Sequence, residues 1–189
     1  MTRIVLPTSL TRALLVGAGA GVIASLVMAM YAMIAAWEKG TGFFTPLYHI
    51  ASLWASGDSM MASMEDAAAG TDFHFVLGTA ILGALIHITT GAGYGAVFGL
   101  IASRLPFGLA VLAVVGLVYG FIVFAVSAYA GLPLAAAVFD SGDPIKNMAE
   151  MAGWGTFIIE HLLFGLVLGV LVALGNRKTA AASTEPIAH

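Results

Sequence analysis

Four long runs with almost no charge leave this chain few ways to fold. Residues 13–37, 73–103 and 107–130 hold no Asp, Glu, Lys or Arg, and a fourth run, from Gly155 to Gly175, holds one acid, Glu160. Each is as long as, or longer than, the roughly 20 apolar residues a helix needs to cross a hydrocarbon core. A single segment in lipid must satisfy its own backbone hydrogen bonds, so runs of this kind become helices. The expectation is an all-α, polytopic membrane protein with four transmembrane helices. Composition agrees, with 60% apolar and 9% charged residues, where a soluble domain carries about a quarter charged. The first run follows Arg3 and Arg12 and exceeds the 7 to 15 apolar residues of a signal-peptide core, so it reads as a retained helix.

Orientation follows from the basic residues. Arg3, Arg12, Arg104, Arg177 and Lys178 fall at the amino terminus, the short turn and the tail, against Lys39 and Lys146 in the other two loops. Both termini are therefore expected in the cytoplasm of a bacterial cell, with the protein in the inner membrane. All ten acidic residues except Glu160 and Glu185 lie in the two outer loops. That acidic face makes nucleic acid an unsuitable partner. The absence of cysteine excludes disulfides and thiolate ligands.

Histidine and glycine recur at helical spacing. His87, Gly91, Gly95 and Gly99 follow one another by four, as do His161, Gly165 and Gly169, so each set shares one helix face. Small residues on one face let helices approach closely. Arg104 and Arg177 follow the two histidines at nearly equal distances, which sets both imidazoles at one depth to within about 1.5 Å. Tyr119 on the third helix falls close to that level. An internal duplication is expected, with residues 13–104 and 107–177 forming parallel two-helix repeats about an axis along the membrane normal. The whole makes one domain over residues 1–178, followed by a disordered cytoplasmic tail over 179–189.

The outer loops carry helix signals of their own. Thr45-Pro46, Gly57-Asp58 and Asp143-Pro144 predict short surface helices capped by Thr45, Asp58 and Asp143. Pro46-Leu47 and Ser56-Gly57-Asp58 are echoed by Pro133-Leu134 and Ser141-Gly142-Asp143. The second apolar run is longer than a bilayer requires, so its helix either projects outward or breaks near Gly91. The stretch Phe44-Thr-Pro-Leu-Tyr-His-Ile-Ala51, with His87 ahead of Gly93-Tyr-Gly95, resembles a group of uncharacterised bacterial inner-membrane proteins. That resemblance implies a four-helix architecture and no activity, cofactor or catalytic residue.

Glu160 and His161 are the leading functional candidates, with His87 and Tyr119 beside them, because a charge in mid-bilayer is costly and usually faces a polar interior, a partner or a pathway. The plainer alternative is a hydrogen bond to a neighbouring helix. Two level histidines offer axial ligands for a b-type haem. Met60, Met61 and Met64 with His49 and His74 offer soft ligands for Cu(I), although the methionines also form one face of an amphipathic helix. No metal site is assigned. With no phosphate loop, nucleophile–base pair or metalloprotease spacing, an enzyme is not expected. The leading expectation is an accessory or assembly module that packs against other membrane subunits or further copies of itself. The alternatives are a small-solute or proton permease that uses Glu160 within an oligomer, and an electron-transfer subunit with haem on His87 and His161.

Overall fold

A computed structural model describes residues 10–105 and 108–182, with side chains as far as 176. Its elements are α1 (Leu10–Glu38), α2 (Thr45–Ala51), α3 (Asp58–Ala68), α4 (Leu77–Ala102), α5 (Leu109–Val126), α6 (Leu132–Phe139), α7 (Gly142–Lys146), α8 (Met148–Ala152) and α9 (Trp154–Ala182). No strand occurs among the described residues. Four helices are long and apolar enough to cross a membrane: α1, α4, the continuous rod Leu109–Phe139, and α9 as far as Asn176. Their outward faces are apolar, with Leu15, Leu85 and Val118 among the exposed side chains. Such faces suit lipid as solvent.

The spans pair as sequence neighbours, and glycine makes the pairing close. A Cβ on Gly17 would lie 2.3 Å from the Gly95 carbonyl oxygen, and one on Gly21 would lie 2.2 Å from that of Gly91. The second pair repeats the arrangement, with Gly116 against the Gly165 carbonyl at 2.2 Å and Gly120 against that of His161 at 2.3 Å. No side chain fits at such distances, so each seam is backbone on backbone. The two pairs then join through α1 and α9, while α4 and α5 barely touch. Phe98, Leu112, Phe164, Leu168 and Val172 fill the space between the pairs toward the Arg104 turn. We call that the turn end and the opposite side, where α2, α3, α7 and α8 gather, the loop end.

Several expectations are modified. The second span is unbroken at Gly91 and begins only at Leu77. Its first residues are held extended instead: the Tyr48 hydroxyl donates to the His74 carbonyl at 2.9 Å and accepts from the Val76 N–H at 2.7 Å. The third span outruns its expected end. Residues Ser127–Gly131 form a π-helical turn, a widened turn that lets a helix absorb an irregular hydrogen-bond ladder. Pro133, which has no N–H to give, sits just beyond it within the same rod. Pro133 thus lies in a spanning helix, whereas Pro46 opens a separate short one.

The loop caps also differ from expectation. The residues preceding α2, α3 and α7 are Phe44, Gly57 and Ser141, and none makes a side-chain capping bond. Asp58 and Asp143 lie inside the first turn, where a carboxylate still favours the helix dipole without capping it. Asp58 accepts from the Ser56 hydroxyl at 2.9 Å, and Thr45 donates to the Thr41 carbonyl at 2.6 Å. At the carboxyl end α9 continues to Ala182, four residues into the stretch expected to be disordered; residues 183–189 lie outside the described residues.

Candidate functional site

Because α4 and α5 stand apart while α1 and α9 touch, the two pairs enclose a cavity of about 480 Å³ in the loop half of the bundle. Its apolar wall includes Met28, Ile86, Val123, Leu132, Phe157 and Phe164. Its roof is α2, which contributes Pro46, Leu47, His49 and Ile50. Gly83 lets that roof settle onto α4, since a Cβ there would lie 2.0 Å from the Leu47 carbonyl oxygen.

Glu160, His161, His87 and Gly91 all line this one cavity. Glu160 is 6% exposed and His161 5%. The His161 ring lies between Phe157 and Phe124, with centroids at 4.5 and 6.1 Å. Its Nδ1 donates to the Phe157 carbonyl at 2.7 Å. Adjacent Glu160 has its Oε1 3.8 Å from that same nitrogen, too far for a hydrogen bond. Its carboxyl group accordingly lines the cavity with no hydrogen-bond partner in the protein. His87 donates from Nε2 to the Ser25 carbonyl at 2.9 Å, anchoring α4 to α1.

Tyr119 takes no part in the cavity lining. Its hydroxyl donates to the Tyr94 carbonyl at 2.7 Å and its ring packs on Phe98, so it ties α5 to α4 nearer the turn end. Gly95, Gly99, Gly165 and Gly169 are spent in the seams. Asp58 and Asp143 stay in the loops.

Sequence reasoning missed Lys39 and Thr156. The Lys39 ammonium donates to the Ala152 carbonyl at 2.7 Å and to the Thr156 hydroxyl, one helical turn from Glu160, which lies within range of its charge. Nothing in the spacing of Lys39 marks it out; it looks like an ordinary loop cation until α1 meets α9. His49 makes the second link between the halves, donating from Nε2 to the Pro144 carbonyl at 2.6 Å. Burial pushes its pKa below the usual histidine range, more than the bond to Pro144 raises it.

The residues do not fit a bis-histidine haem. His87 spends Nε2 on Ser25 and keeps only Nδ1, the nitrogen crowded by its own backbone, whereas His161 keeps Nε2. Unlike nitrogens present unlike approaches to one iron. The copper set is not assembled either: His74 Nδ1 pairs with Asp66 at 2.6 Å, Met61 is 66% exposed, and only Met60 and Met64 of that methionine cluster reach the cavity. Among the described residues no three of His, Asp and Glu come close enough to hold a metal ion.

No family model, curated protein or solved structure matches the sequence.

Proposed function

We propose that this chain is a small-solute permease of the bacterial inner membrane, with both termini cytoplasmic, and that the cavity is its solute site. One observation carries the reading: a buried carboxyl group, Glu160, lines a cavity of about 480 Å³ without a hydrogen-bond partner. That volume suits a small organic molecule, and an ionisable group at such depth is kept for a reason. The cavity lies within one chain, so a solute site does not require the oligomer that the sequence suggested. The turn half is packed by Phe98, Leu168 and Val172, which supports a pathway closed on the turn side. Trp37, Trp54, Tyr129 and Trp154 are exposed toward the loop end, consistent with an interfacial aromatic belt there.

The parallel-repeat reading forms part of this proposal, with its register moved. Gly21 meets the Gly91 carbonyl as Gly120 meets that of His161. Matching the seams therefore sets Gly91, one turn from His87, opposite His161. Rotation of one glycine-seamed pair against the other would alternate access to the cavity.

The test is uptake and charge movement in proteoliposomes challenged with amines, carboxylates and sugars. Wild-type protein should move one class, and Glu160→Gln should reduce that flux at least tenfold while keeping expression and fold. Vesicles that move none of the three would sink the permease. Reporter fusions at Gly57, Arg104 and the carboxyl end test the orientation; a periplasmic signal at Arg104 would invert it.

The accessory module remains as a second reading because of a groove along α1 and α9, lined by Leu15, Gly19, Ile23 and Leu171. A Cβ on Gly19 would meet nothing within 4 Å, leaving room for a further helix. A co-purifying membrane subunit lost in Gly19→Leu, with no flux in wild type, would favour it.

A further inference from the structure

Most of the polar groups around the cavity share one property: they have already given their protons away. His49, His87 and His161 each donate their N–H to a backbone carbonyl, those of Pro144, Ser25 and Phe157. A neutral imidazole that gives its one proton away keeps a lone pair on its other nitrogen. The hydroxyls follow the same rule: Ser25 donates to the Val22 carbonyl, Thr41 to Ala36, Thr45 to Thr41 and Thr90 to Ile86. Two lining hydroxyls keep a proton to give: Thr156, which accepts from Lys39, and one of Tyr94 and Ser127, which face each other at 3.5 Å. Glu160, without a hydrogen-bond partner, adds a carboxyl group. The lining therefore offers acceptors in excess and few donors.

Buried acceptors left unmatched are costly, so a ligand must bring donors. An anion brings none, and a metal ion lacks the three-ligand cluster it needs among the described residues. Lys39 does not reverse this balance, because its ammonium is exposed and committed to Ala152 and Thr156. Around the polar groups the wall is apolar, with Met28, Ile50, Leu132, Phe157 and Phe164. It suits a hydrocarbon or aromatic body.

We propose that the cavity takes a protonated amine carried on an apolar body, the ammonium donating to Glu160 and to imidazole lone pairs and the body resting on the methionine, leucine and phenylalanine wall. The ion pair gives Glu160 a hydrogen-bond partner and lets it ionise at a depth where an isolated charge is expensive. This inference rests on the cavity being a solute site, and it names the class of solute.

The experiment compares three probes of one shape on the full-length protein purified in detergent: 2-phenylethylammonium, 2-phenylethanol and phenylacetate, with affinities measured by calorimetry. The amine should bind at least tenfold more tightly than the alcohol, and phenylacetate should bind weakest. Glu160→Gln should remove the amine's advantage and leave the alcohol's affinity unchanged. Should that variant fail to fold, the ranking on unmodified protein still decides. Ala135→Trp, which fills the cavity, should abolish binding of all three. A preference for the alcohol or phenylacetate overturns the amine while leaving the solute site standing. No binding by any probe overturns both.

Discussion

His49 shows what a single buried imidazole does in this molecule. It is neutral in the fold because burial disfavours its charged form, and it holds α2 to α7 through Pro144. Its folded pKa lies below the unfolded value of about 6.5. Above that value both states are neutral and the contact is intact. As pH falls through it the unfolded chain takes up a proton that the folded chain resists, so stability declines until the folded pKa is passed. Thermal unfolding followed between pH 8 and 5 should show this decline. In His49→Gln, which keeps a donor for Pro144 without a titrating ring, the decline should be smaller; an equal slope would assign it to another group. That Glu160 and His161 would be buried was legible in the sequence, because one acid stood in an otherwise uncharged run. Lys39 and the tautomers were not, since each depends on a carbonyl far away in the chain.

At the scale of the element, the seams set the geometry. A Cβ on Gly165 would lie 2.1 Å from the Gly116 carbonyl oxygen, and backbone cannot yield there without separating α5 from α9. Gly165→Leu should therefore cost at least the 1 to 3 kcal/mol typical of overpacking. Gly155→Ala, where nothing lies within 4 Å, should stay within about 0.5 kcal/mol of wild type. Thermal melts of the two variants in one detergent check this pair, and similar losses in both would deny the seam its role. The glycine ladders could be read in advance because a spacing of four is a helix face whatever surrounds it. The length of the third span could not. Its apolar run passes through Pro133, a usual helix breaker, and only the π turn over Ser127–Gly131 shows how the rod continues. Likewise, the start of α4 is fixed by Tyr48 on another element rather than by any signal in residues 73–76.

In the whole molecule, the first span packs against both the second and the last. The cavity was invisible in the sequence for this reason: it arises where two pairs meet through α1 and α9 and not through α4 and α5, which no run of residues encodes. Chain order adds something else. Each glycine seam joins spans adjacent in sequence, so a hairpin can close as soon as its second helix has entered the bilayer. The join between α1 and α9 must instead await the last helix to be made. During synthesis the earliest span therefore keeps one flank waiting beside lipid until the protein is nearly finished, and the cavity, with Lys39 reaching across to Thr156, is the last part of the molecule to come into being.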